Sequence, residues 1–185
     1  MTKSDGFLSH FKSNLASNFA RAYLFYVKID KASKDLEIPK NQKYLVRSAS
    51  IPAHTLEEIA IPFQGMVFKL ASTQTFDTWE CTFNSDSEGK LRKFFVDWMN
   101  DTHNAKTNEH GKPTDYFGKI TIELLNPFQK FGEDEADAAY TCTLYDAWPS
   151  AIAAIDLGYD SKEVGQFSVT WTYNWHEEAA GAAGA

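Results

Sequence analysis

Residues 166–175 read Gln-Phe-Ser-Val-Thr-Trp-Thr-Tyr-Asn-Trp, with Phe167, Val169, Trp171, Tyr173 and Trp175 at every second place and polar side chains between them. Only an extended strand puts residues i, i+2 and i+4 on one face. The segment therefore predicts a strand whose aromatic face turns to a core. The same period recurs at Phe76–Asn84, where Trp79, Cys81 and Phe83 oppose Glu80, Thr82 and Asn84. It recurs at Lys119–Leu125, where Ile120, Ile122 and Leu124 oppose Lys119, Thr121 and Glu123. Tyr140–Tyr145 and Met66–Ala71 read as further strands, the latter with Met66, Phe68 and Leu70 on one face. Ala22–Ile29 alternates as well, but Leu24 and Tyr26 make both of its faces apolar, which predicts a strand covered on both sides. Lys43–Ile51 reads as a strand stopped by Pro52, and Ile155–Tyr159 pairs with Gln166–Trp175 as a final hairpin around Asp160–Glu163. Ala53–Gly65, bracketed by Pro52 and Pro62, predicts an extended loop or projecting hairpin with Glu57 and Glu58 near its tip.

Two segments carry the helical period instead. Leu91, Phe94, Phe95, Trp98 and Met99 fall at i, i+3, i+4, i+7 and i+8, one stripe of a helix that Ser85 and Glu88 open as a capping box and that runs to about Asn100. Phe7, Phe11, Leu15 and Phe19 form a stripe on a short helix at Gly6–Ser17 capped by Asp5. Asp101–Tyr116 is then a long polar loop. The fold class is mainly β (α+β): a β-sandwich or barrel of seven or eight strands, one flanking α-helix and a short N-terminal helix. The length of 185 residues suits a single domain over residues 1–178, followed by a disordered Ala/Gly tail at 179–185.

The chain is 43% hydrophobic, which excludes a disordered polymer, yet it has no apolar run long enough to cross a membrane as a helix. Met1–Asp5 leads into a polar-striped segment with no apolar signal core, which argues against export by a signal peptide. The net charge of −7 argues against a generic nucleic-acid or anionic-membrane binder. That total hides an asymmetry: residues 1–50 sum to +5 and residues 51–185 to −12. A basic patch attracts the acidic patch of a neighbour, so the split fits head-to-tail self-association.

Signatures of catalysis are missing from the sequence, which has no phosphate-binding loop, dinucleotide fingerprint, zinc-protease helix or nucleophile elbow. His103 and His110 share the polar loop with Asp101, Glu109 and Asp115, but at no regular ligand spacing. Cys81 and Cys142 align with core-facing neighbours and read as inert buried thiols. Glu133, Asp134, Glu135 and Asp137 read as a solvated hairpin tip. These observations exclude no binding role and predict no enzyme, metal or cofactor.

Several segments taken in order resemble a known family. They are Phe19-Ala-Arg-Ala-Tyr-Leu-Phe-Tyr-Val-Lys-Ile29 after a short helix, Ser48-Ala-Ser-Ile-Pro52, Ile61-Pro-Phe63 leading through Gly65 to Thr75-Phe-Asp-Thr-Trp79, and Asn84-Ser-Asp86. Lys93-Phe-Phe-Val-Asp-Trp98, the corner Asp146-Ala-Trp-Pro149 and the strand Gln166–Trp175 follow. Their order and spacing resemble the tail tube proteins of contractile-tailed bacteriophages over about residues 6–176.

The resemblance implies a structural virion protein that forms hexameric rings stacked into the hollow inner tube through which DNA leaves the capsid. It implies the tail-tube fold, which type VI secretion tube proteins share, with each subunit's sheet joining its neighbours' sheets in a continuous inner barrel. The implied partners are other copies of the chain, the tail sheath protein, baseplate tube-initiator proteins and the tape measure protein inside the tube. DNA passes without specific binding, and no membrane is involved. The implied location is the phage tail, assembled in the host cytoplasm. Within this frame the hairpin around Glu57 and Glu58 reaches the adjacent ring, where it meets Lys28, Lys31, Lys34, Lys40, Lys43 and Arg47. Polar strand faces offer Glu80, Thr82, Thr121, Glu123, Thr141 and Thr143 as lumen-lining candidates, with Lys69 and Lys119 as basic exceptions. The alternatives are a baseplate tube-initiator of the same fold and, from another class, a monomeric ligand-binding β-barrel.

Overall fold

The computed structural model describes residues 21–31, 45–125, 138–160 and 162–180. The expected N-terminal helix, the acidic tip with Glu133–Asp137, and residues 181–185 of the tail lie outside them. The elements are β1 (Phe25–Lys31), β2 (Val46–Ala49), β3 (Thr55–Phe63), β4 (Met66–Thr75), β5 (Trp79–Asn84), α1 (Lys90–Thr102), β6 (His103–Asn104), β7 (Glu109–His110), α2 (Pro113–Tyr116), β8 (Gly118–Leu125), β9 (Ala138–Ile152), β10 (Gln166–Thr172) and β11 (Trp175–Ala180). The mainly β class with one substantial flanking helix is thus as expected. Among the described residues no helix is long and apolar enough to cross a membrane.

One antiparallel sheet runs in the order β1-β8-β9-β10-β5-β2, with β11 also on β9. Its hinge is β9, fifteen residues long. Residues 140–145 of β9 pair with β8 and β11, whereas residues 148–152 pair with β10. Between the two parts Asp146 takes φ 53°, a left-handed conformation that Asp tolerates better than most residues. Pro149 follows opposite Trp171, beside a bulge in the β9–β10 pairing, where a missing amide hydrogen costs least. The Asp146-Ala-Trp-Pro149 segment read as a corner is where the sheet folds over on itself. Its end strands β1 and β2 approach one another, so the sheet comes near closure.

The core fills the space inside this fold. Val27 and Ile29 of β1, Ile120 and Ile122 of β8, and Cys142 and Leu144 of β9 face it from one part. Trp79, Cys81 and Phe83 of β5 and Phe167, Val169 and Trp171 of β10 face it from the other. Both thiols are buried as expected, and burial pushes that of Cys142 up to about 11 and that of Cys81 higher still. The helix α1 bridges the two parts. Phe95 meets Phe83, Phe167 and Trp171 at ring separations of 5.1–6.2 Å. Trp98 stands edge-on to Trp171 at 5.3 Å and donates its indole hydrogen to the Tyr116 carbonyl at 2.7 Å. Gly118 makes room for it: a Cβ there would lie 2.6 Å from the Trp98 ring and 2.7 Å from the Asp30 carbonyl.

Five local expectations need correction. The helix starts at Lys90 rather than near Ser85, because the Asp86 carboxylate takes the amides of Lys90 and Leu91 while Gly89 turns the chain at φ 66°. It runs on to Thr102 and is followed by the β6–β7 hairpin and α2, so residues 101–116 are not a plain loop. Residues 155–159 form no strand; β9, prolonged past its corner, is the partner of β10. Trp175 does not continue the buried face of Phe167–Tyr173, because the chain turns at Asn174, whose amide bonds to the Tyr145 carbonyl. Trp175 instead stacks on Tyr145 at 4.0 Å on the outer side. Finally, Ala179 and Ala180 are not part of a disordered tail: they pair with Thr141 and Tyr140 in β11.

Candidate assembly surface

The segment read as a loop or projecting hairpin is a long hairpin that incorporates the Met66 strand. β3 and β4 pair with each other and with no other described strand. Gln64 and Gly65, both at positive φ, form a two-residue turn of the kind that matches strand twist and that favours glycine. The arm therefore ends at Phe63–Met66, and Glu57 and Glu58 sit nearer its root than its tip, beside a bulge between Leu56 and Glu58. Glu58 pairs with Lys69 of the same arm at 2.7 Å.

The pairing Ile59–Leu70, Ile61–Phe68 and Phe63–Met66 puts six apolar side chains on one face of the arm. All six are exposed, Phe63 to 66% and Met66 to 76%. A contiguous apolar surface of this kind on a protruding element marks an interaction site. Period-two alternation was legible in the sequence, but without knowledge of the pairing it equally suited a strand lying on its own core.

The six lumen candidates separate onto two surfaces. Thr121 lies opposite Thr143, and Glu123 opposite Thr141, on the face of β8 and β9 turned away from the core, where Glu123 and Thr143 are nevertheless buried. Lys28 of β1 joins them, paired with Glu123 at 3.0 Å. Lys28 and Lys119 on this face are outnumbered by Asp30, Glu123 and Glu177. Glu80 and Thr82 lie opposite Thr170 and Ser168 on the outer face of β5 and β10, where Glu80 is the one charged residue of the two strands. Of the basic contact candidates, Lys31 is buried against Asp101, Arg47 is exposed on β2, and Lys34, Lys40 and Lys43 lie outside the described residues. In the polar segment after α1, His103 and His110 face each other across β6–β7 with ring centres 4.4 Å apart.

Comparison with known proteins decides what such a surface belongs to. A family model described as phage tail tube protein matches residues 7–179. The chain is a member of the phage tail tube family. It is 26% identical to tail tube protein gp19 of Enterobacteria phage T4 over 165 residues, which cover 88% of this chain and 93% of that protein. The gp19 protein of Enterobacteria phage T6 matches to the same extent. The fold agrees with that of a chain in the sheath–tube complex of the extracellular contractile injection system PVC, with TM-score 0.64 at 18% identity over 91% of this chain and 97% of that one. It also agrees with a chain in the anti-feeding prophage baseplate, with TM-score 0.65 at 16% identity over 89% and 97%. The resemblance carried by the Phe-Asp-Thr-Trp strand, the Phe-Val-Asp-Trp helix and the Trp-Pro corner therefore holds. This is a structural protein of the phage tail tube, and its curated relatives are tail tube proteins too. In a tail tube protein the Trp79 and Trp98 of those motifs are core residues, and among the described residues the large exposed apolar face is that of the arm.

Proposed function

We propose that the chain assembles into hexameric rings that stack as the inner tube of a contractile tail, and that DNA leaves through this tube. The exposed apolar face of the β3–β4 arm carries the reading, because it is large and no other described strand pairs with the arm. Burial against the next ring removes it from water, at roughly 25 cal/mol per Å². The β11 strand, paired among the described strands with β9 alone, gives a neighbouring subunit's sheet an edge to join. Sheath and baseplate proteins are the tube's outer and end partners, a setting supported by the PVC sheath–tube complex and the anti-feeding prophage baseplate, each of which holds a chain of this fold. The tape measure protein occupies the lumen before DNA does. The tube is a virion component put together in the host cytoplasm, and its role is mechanical rather than catalytic. Glu57 and Glu58 face Arg47 and the other basic groups of residues 28–47 across the ring boundary. This charged contact is secondary to the apolar one, since Glu58, Lys28 and Lys31 already hold partners within the subunit.

Light scattering after size-exclusion chromatography and negative-stain microscopy, over a range of concentrations and salt, test the assembly. Rings and stacked tubes are expected. Isolated rings that never stack would assign the chain to tube initiation at the baseplate, and monomers under every condition would overturn the reading.

The lumen is expected to be net negative. The outer face of β1, β8, β9 and β11 carries that sign, and a basic lining would hold phosphates by releasing their counterions. Assembled tubes should therefore leave DNA unshifted in a gel at low ionic strength, where screening is weakest. Tight binding that salt reverses would show a basic lumen instead.

A further inference from the structure

At the root of the arm three side chains from two elements converge. His54 lies just before β3, while His176 and Glu178 alternate on β11 and so share its inner face, opposite Leu144 and Cys142. The His176 side chain is fully buried, with Phe76 and Tyr173 packed against its ring at 5.2 and 5.8 Å. His54 leans over it with ring centres 4.2 Å apart. The two Nε2 atoms are 3.0 Å apart, His54 Nε2 is 3.1 Å from Glu178 Oε1, and His176 Nε2 is 3.8 Å from the same oxygen.

Hydrogen bonds alone satisfy this cluster poorly. Only one proton fits between two Nε2 atoms. If His54 holds it, the same N–H must serve both His176 and the carboxylate. If His176 holds it, the His54 lone pair is left facing the carboxylate. His176 Nδ1 is buried without a partner among the described residues with or without an ion at Nε2, so the three converging lone pairs alone point to an ion. A cation at the centre uses all three lone pairs at once.

The dimensions fit one kind of cation. Four-coordinate zinc with bonds of about 2.0–2.1 Å sets its ligand atoms about 3.3 Å apart. The three observed separations, 3.0, 3.1 and 3.8 Å, straddle that edge. Two imidazoles and one carboxylate suit zinc and its late first-row neighbours, whereas calcium and magnesium prefer oxygen throughout. Outer partners are present too. The Gln74 amide nitrogen lies 2.8 Å from His54 Nδ1, and with that amide turned over its oxygen accepts the proton of a ring bound through Nε2, while the Tyr140 hydroxyl donates to Glu178. His54 is half exposed, which leaves an entry path and a fourth position for water.

We propose that His54, His176 and Glu178 bind one divalent transition-metal ion of the zinc class, which ties the root of the β3–β4 arm to β11. The site lies within one subunit, so its test does not depend on tube formation.

The full chain, stripped with chelator and dialysed, is titrated with zinc chloride by calorimetry and with cobalt(II) by visible absorption. One ion per chain is expected, with the intense cobalt band of a four-coordinate site that zinc displaces. His54→Ala and Glu178→Gln should each weaken binding at least about tenfold, since each removes or neutralises a ligand. The latter keeps the shape of the side chain on β11, so its loss of affinity is not a loss of fold. His103→Ala, which alters the other histidine pair, should bind as the unaltered chain does. Absence of saturable zinc binding by the unaltered chain, or binding that either ligand substitution leaves unchanged, overturns the proposal.

Discussion

Replacing Ile61 and Phe68 together by serine is expected to leave a folded chain that no longer builds tubes. The two residues lie directly opposite each other at the centre of the arm's apolar face, exposed to 43% and 62%. They contribute nothing to the subunit's own core, so the unfolding midpoint should stay within error of the unaltered protein. In the assembly their truncation removes apolar burial worth about 3 kcal/mol per arm. That is roughly a hundredfold weaker contact at each arm, repeated at every subunit of the ring. Reversing Glu57 and Glu58 to lysine tests the charged contact separately. Its effect should be smaller and should diminish with added salt, because exposed charges are screened beyond about 10 Å at 0.1 M. Micrographs and light scattering read both experiments. Tubes of normal length and yield from the Ile61/Phe68 variant would mean that the arm's apolar face is not the stacking contact.

The largest loss of stability is expected from Trp98→Ala. The indole fills the space between α1 and the folded sheet, touches Phe94 and Trp171 edge-on, and lies over Gly118. It also donates to the Tyr116 carbonyl, which anchors the segment between α1 and β8. Truncation leaves a cavity that rigid strands on both sides cannot close, and removal of a buried large aromatic residue costs about 3–5 kcal/mol. That is a large share of the stability of about 5–15 kcal/mol usual for a domain. Urea unfolding measures it, with Val96→Ala on the exposed side of the same helix as the comparison. A loss under about 1 kcal/mol at Trp98 would contradict this account of the core.

Sequence and structure divide along the range of the interactions involved. The alternation at Trp79-Cys81-Phe83 and at Phe167-Val169-Trp171, and the stripe Leu91-Phe94-Phe95-Trp98, are local periodicities, and each of these residues is buried as its period requires. The motifs that carried the family resemblance are largely these same core and corner residues, which is why membership was legible before any fold was known. Boundaries were less so. Ser85 and Asp86 are neighbours with equally good capping chemistry, and only the path of the chain through Gly89 selected Asp86. Trp175 continues an unbroken alternation, yet a backbone bond from Asn174 to Tyr145, far away along the chain, turns it outward.

The sequence by itself determined the strand and helix periods, the mainly β class, the buried thiols and the family. The tertiary structure alone decided which apolar face is left uncovered. Met66, Phe68 and Leu70 alternate as regularly as Trp79, Cys81 and Phe83, but the first set lies on an arm that pairs with no other described strand and the second on a sheet with a helix across it. It alone also brought His54 to His176, 122 residues apart, and set Gly118 beneath Trp98. A residue's period is written in its neighbours along the chain. What covers it depends on strand order and on where β9 bends, and those are settled by contacts between segments that no local pattern records.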